Sequence, residues 1–191
     1  MDIVIALIPE KELYDKIVEI KKTAKQLSEK HQYIDDNPHL TLYVGKLKGI
    51  PKIRDVFDIQ FSIIDWVIFE RDAITGKTTL ACKLDEESVR VLREFQEKII
   101  NNLSKLSEGI LDRYGGIVLE EKERKNLEKF GFPYVGEIWV PHFTIASFSD
   151  FDKVWEKSKS ECPRGRYKFS SLNIYELENE KLKLLKEIPI S

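Results

Sequence analysis

The sequence predicts a protein in which helices and strands alternate within one body. Short runs of strand character alternate with stretches of helical period along the chain. No polar linker rich in Gly, Pro or Ser separates the two halves. With 191 residues, one large domain or two intimately packed lobes can enclose a core without a metal or disulfide staple.

The elements follow in order. Ile3 to Ile8 is a short β-branched apolar run closed by Pro9, which reads as a buried strand. Leu13, Ile17, Ile20, Ala24 and Leu27 then recur at steps of three and four among Lys and Glu, one apolar face of a surface helix. His31 follows that helix and is read as complementing its C-terminal dipole. A polar stretch, Gln32 to Pro38, leads into a strand with strict alternation, Pro38 to Gly45. Phe57 to Asp72 is β-rich, and Thr75-Gly76-Lys77 reads as a hairpin turn into Thr78 to Leu84. Gly76-Lys77-Thr78 looks like the end of a P-loop but fails, since Arg71 stands where that motif needs Gly. Asp85 is placed to cap a helix with Val89, Leu92, Phe95, Ile99, Leu103 and Leu106 inward. Ser107 to Gly116 is looser, and a charged helix near Glu120 to Phe130 stops at Gly131 and Pro133. Val140 to Ala146 is a second strand introduced by proline. A short helix around Asp150 to Lys159 and a hairpin of Tyr167 to Glu176 with Leu182 to Pro189, turning at Glu178-Asn179-Glu180, end the chain.

Composition excludes several classes of function. The 31 Lys and Arg nearly balance the 33 Asp and Glu, a net charge of −2, which argues against a coat protein held to nucleic acid by general phosphate neutralisation. Cys82 and Cys162 stand far apart, with no CxxC and no histidine at metal spacing. Neither a zinc site nor a redox pair is expected, and Cys82 reads as core packing. No stretch approaches the roughly 20 apolar residues of a membrane span, and the N-terminus lacks a basic leader, so a cytosolic monomer without a membrane partner is expected.

The informative feature is a repeated tetrapeptide. His39-Leu40-Thr41-Leu42 and His142-Phe143-Thr144-Ile145 share the pattern His-apolar-Thr-apolar, each is preceded by Pro, and they lie 103 residues apart. The chain has only three histidines, so two in matched contexts outweigh the reading of a polar strand face. On a strand, residues i and i+2 share a face, so each motif presents His and Thr together. Imidazole suits proton transfer near neutral pH. Two of them flanking one phosphorus can serve as base and acid while threonine hydroxyls donate to the non-bridging oxygens. That chemistry requires no metal and no cofactor.

Together the two motifs resemble the signature of the 2H phosphoesterase superfamily, paired H-x-[ST]-x tetrapeptides with hydrophobic x positions. That superfamily includes 2′,3′-cyclic nucleotide phosphodiesterases and the proteins called 2′-5′ RNA ligases. The order of elements is similar as well. The resemblance implies an α+β fold spanning residues 1–191, with two pseudo-symmetric lobes of antiparallel sheet flanked by helices around a central groove. It also implies that His39 and His142 are catalytic and that Thr41 and Thr144 bind phosphate. Where several ligase-like members carry arginine after the second motif, this chain has Ser147.

Other residues are weighed beside the motifs. Tyr43, two positions beyond Thr41, is a candidate to stack on a base. Arg164, Arg166 and Lys168, spaced by two, form a basic ladder if extended, so Arg164 and Arg166 are candidates to grip RNA phosphates. Phe132, Tyr134 and Trp139 read as core first and as groove walls second. The expected function is a metal-independent phosphodiesterase acting on 2′,3′-cyclic phosphates or 2′-5′ linkages of an RNA end or nucleotide. The alternatives are an RNA 2′-5′ ligase and a non-catalytic RNA-end or nucleotide-binding module. A protein-interaction scaffold is weakened by the lack of a large exposed apolar run.

Overall fold

In the computed structural model, which describes every residue except Asp55, Phe57, Glu180 and Ser191, strands and helices succeed one another as the periodicities require. They are β1 (Asp2–Pro9), α1 (Lys11–Leu27), β2 (His31–Gln32), β3 (Leu40–Lys46), β4 (Gln60–Phe69), β5 (Thr78–Leu84), α2 (Glu86–Leu103), α3 (Glu121–Phe130), β6 (His142–Phe148), α4 (Phe151–Ser158), β7 (Gly165–Glu178) and β8 (Lys181–Pro189). The expected strand start at Phe57 and the turn residue Glu180 lie outside the described residues.

Local chemistry sets the boundaries. Asp85 caps α2 by accepting from the Ser88 backbone N–H at 2.8 Å, and Glu86 and Glu87 in the first turn complement the helix dipole. A reciprocal capping box of Glu120 and Glu123 starts α3, and Gly131 ends it in the left-handed region at φ 70°. His31 departs from its expected role. It lies four residues beyond α1, in the two-residue strand β2 that pairs with Phe148.

The strands form one antiparallel sheet in the order β2-β6-β5-β4-β7-β1-β3, with β8 alongside β7. β7 joins its halves: Gly165 to Lys168 pair with β4, and Phe169 to Glu176 pair with β1. Each half repeats one device, a strand, a helix and a motif strand that returns antiparallel to the first. These are β1, α1 and β3 in one half and β5, α2 and β6 in the other. Although β3 ends the strand order and β6 is next to its other end, they lie against each other across the molecule. α1 packs on β1 and β6, and α2 on β4 and β3, so each long helix also holds the motif strand of the opposite half. A continuous apolar core runs beneath, including Ile5, Leu7, Leu42, Phe61, Phe143 and Phe169, all essentially inaccessible.

Candidate active site

The motif strands carry the same irregularity at the same place. Opposite β1, Tyr43 pairs with Ile5 and Thr41 with Ala6, so Leu42 is an extra residue on β3. Opposite β5, Ala146 pairs with Leu80 and Thr144 with Ala81, so Ile145 is an extra residue on β6. In both tetrapeptides the fourth residue is the bulge. A bulge bends its strand and re-aims the side chains around it. Here it buries Leu42 and Ile145 and leaves the His and Thr before each of them on the open side.

That side is a cleft of about 1120 Å³ lined by His39, Thr41, His142 and Thr144 together. The imidazoles are held alike: His39 Nδ1 lies 2.7 Å from the carbonyl oxygen of Asn37, and His142 Nδ1 lies 2.7 Å from that of Val140. A carbonyl oxygen only accepts, so each Nδ1 carries the proton and donates, leaving Nε2 for a ligand. Among the described residues neither threonine hydroxyl is committed to a protein hydrogen bond.

Electrostatics hold both rings below the ordinary histidine range. Desolvation at the base of the cleft is the largest cause for each, opposed by the hydrogen bond to the carbonyl. The Lys21 ammonium further disfavours protonation of His39, whereas Asp36 favours it. Asp72 favours protonation of His142, and a charge on His39 disfavours it. The two imidazoles are therefore electrostatically linked. Phe69 packs against His142 with ring centroids 4.8 Å apart.

No protein-family model matches the sequence, and no curated protein matches it. Solved structures match its fold over its whole length. The protein TT0787 of Thermus thermophilus superposes with a TM-score of 0.56 at 14% identity, covering 100% of this chain and 98% of its own. Escherichia coli LigT, solved in complex with NADP+, gives 0.52 at 12%, covering 100% and 97%. A protein solved as a phosphoesterase gives 0.51 at 12%, covering 100% and 98%. The chain shares the fold of these solved proteins. The expected α+β class is therefore observed, with the two motif strands facing one cleft.

Three sequence-based candidates do not reach that cleft. Tyr43 is fully buried: its hydroxyl donates to the Phe130 carbonyl at 3.0 Å, and its ring passes over Gly45, where a Cβ would collide with it. The reason is the bulge, which breaks the alternation at Leu42, so Val44 takes the cleft-facing place instead. Arg164 precedes β7 rather than belonging to it, and it donates to the Ile64 carbonyl and to Asp65, each at 2.9 Å. Arg166 stands exposed on β7 opposite Ser62. The basic ladder is thus absent from the site. Ser147 is buried and bonded to Thr79 at 2.6 Å.

Other residues enter the cleft unannounced by any motif. Trp139 and Phe132 are core and wall at once. The end of β4 contributes Phe69 and the β4–β5 turn Arg71 and Asp72, the turn's backbone held by Asp72, which accepts from Ile74 and Thr75. Lys21 donates 2.8 Å hydrogen bonds to the carbonyls of Tyr33 and Asp36, pinning the loop that leads to His39. A lysine beside Ile17, Ile20 and Ala24 in the apolar stripe of α1 is its only sequence signal. Arg113 comes from a 3₁₀ turn, Asp112–Tyr114, in a stretch without periodicity. Among the described residues no three His, Cys, Asp or Glu side chains converge as a metal site would require. Among the described residues no helix is long and apolar enough to cross a membrane.

Proposed function

We propose that the chain is a metal-independent phosphodiesterase that hydrolyses 2′,3′-cyclic phosphates, or 2′-5′ linkages, at RNA ends or in nucleotides. The observation that carries this reading is the matched pair of imidazoles in one cleft, each with Nδ1 donated to a carbonyl and Nε2 left over. One Nε2 takes a proton from a water molecule as its oxygen bonds to phosphorus. The other, protonated, gives its proton to the ribose oxygen as the phosphorus–oxygen bond breaks. Thr41 and Thr144 donate hydrogen bonds to the non-bridging oxygens, where negative charge accumulates. The likeness in fold to a solved phosphoesterase and to LigT, crystallised with a nucleotide cofactor, supports the same class of substrate. Hydrolysis is favoured over ester formation in water, so hydrolysis ranks above ligation.

The test is turnover of 2′,3′-cyclic nucleotides and of short RNAs with cyclic ends in excess chelator. Activity is expected to persist, and to fall by about 10²- to 10⁴-fold in His39→Ala and in His142→Ala. The double variant should lose far less than the product of the two losses, since the pair acts as one unit. A folded single variant with parental turnover, or activity that needs a divalent ion, overturns the reading. Binding of these ligands without turnover favours a binding module instead.

A further inference from the structure

The cleft is larger than its two motifs need. A volume of about 1120 Å³ exceeds the range of roughly 300–1,000 Å³ usual for a drug-sized ligand, and a cyclic mononucleotide is not larger than such a ligand. Arg113 lies in the same cleft. Its Nε is buried and, among the described residues, has no hydrogen-bond partner. Its terminal nitrogen makes one long contact, 3.4 Å to the Tyr33 hydroxyl.

Among the described residues, none of the carboxylates that line the cleft, Asp35, Asp36, Glu70 and Asp72, pairs with it. Asp35 is bonded to Lys25 at 2.6 Å, and Asp72 is occupied by its own turn. The guanidinium instead stands near Tyr114 and Tyr134, whose ionisation its charge favours, though burial dominates and raises both. A guanidinium is a planar fork of donors that matches two oxygens of a phosphate. Leaving its Nε buried and unsatisfied is costly unless a ligand completes it.

We infer that Arg113 binds a second anionic group of the substrate, the phosphodiester next to the reacting phosphorus, and so selects an RNA end of two or more nucleotides over a mononucleotide. This rests on the proposed phosphodiesterase reading and adds a substrate-binding residue to it. The aromatic walls suit the assignment, because unstacked bases of a single strand rest on such side chains whatever their sequence.

The experiment compares two ribodinucleotides ending in a 2′,3′-cyclic phosphate, one with a natural linkage and one with an uncharged methylphosphonate linkage. With the parental protein, kcat/KM is expected to be about 10- to 100-fold higher for the charged linkage, the factor for one charged hydrogen bond. In Arg113→Met that ratio should approach one, and Arg113→Lys should keep part of it. A ratio of one in the parental protein, or the same ratio in parent and variants, overturns the assignment. Should Arg113→Met fail to fold, Arg113→Lys decides, since an unchanged ratio there also overturns it. If no cyclic phosphate is turned over, the phosphodiesterase reading fails on its own. The two linkages are then compared by calorimetric binding of dinucleotides with a terminal 3′-phosphate. A preference for the charged one that Arg113 substitution removes sustains its role, and equal affinities end it.

Discussion

For an individual imidazole the decisive quantity is proton occupancy. His39 and His142 are both held below the ordinary range, chiefly by desolvation, while acid–base chemistry needs one ring neutral and the other protonated. The free protein therefore has to be examined at a pH low enough for one ring to carry a proton. The profile of kcat/KM should be bell-shaped with its maximum below about pH 6.5, the usual histidine value, and its two limbs belong to the coupled pair. A plateau extending to pH 8 would contradict this. The threonines are tested at the same scale. Thr41→Val keeps shape and removes the donor, so it should cost about 10- to 100-fold in kcat, the factor for a hydrogen bond to a charged oxygen. Thr41→Ser should be milder, and equal rates for Val and Ser would make Thr41 a strand former only.

At the scale of elements, the bulges decide which residues face the substrate. The alternation of β3 and β6 is legible in the sequence up to Thr41 and Thr144. One residue later it fails, because an extra residue changes parity and nothing in Leu42 or Ile145 marks it. Tyr43 is misplaced for that reason alone. One bulge has a dedicated partner. Gln96 of α2, fully buried, donates to the Leu42 carbonyl at 3.0 Å and the Tyr134 carbonyl at 2.9 Å, and accepts from the Gly136 N–H at 3.1 Å. Gln96→Leu takes this partner from two buried backbone groups and one part-buried one, so the loss of stability should be about 2–4 kcal/mol in denaturant titration. The folded fraction should also turn over more slowly, since β3 and the loop before Trp139 lose their common tie. A loss under about 0.5 kcal/mol, typical of an uninvolved surface site, would show that water replaces the side chain.

For the whole molecule, the order of elements is legible because hydrophobic period survives burial: the strand and helix patterns around both motifs recur in the structure. The cleft is less legible, because it is assembled from loops. Arg113, Tyr33 and the β4–β5 turn contribute side chains from segments without periodicity, and only their meeting in space makes them a site. Lys21 links those loops to overall stability. It is buried on α1, and desolvation lowers its pKa to about 8 from 10.5. Between these values the unfolded chain holds a proton that the folded chain has released, so stability rises with pH across that window. Below pH 8 both states are charged and the full cost, on the order of 3 kcal/mol, is present. Above pH 10 the buried tyrosines act in the opposite sense. Burial raises Tyr43 and Tyr134 to about 12, so the unfolded chain loses their protons first and stability falls. Subtracting the curve of Lys21→Met from that of the parent cancels the tyrosines. The difference in unfolding free energy should climb from pH 8 to about pH 10.5, in favour of the parent. Its offset at pH 7 reports the balance between the cost of burying the ammonium and the two carbonyl hydrogen bonds that it makes. A difference that stays flat across the window would mean that Lys21 reaches water in solution, and the loop before His39 would then be held by something other than a buried charge.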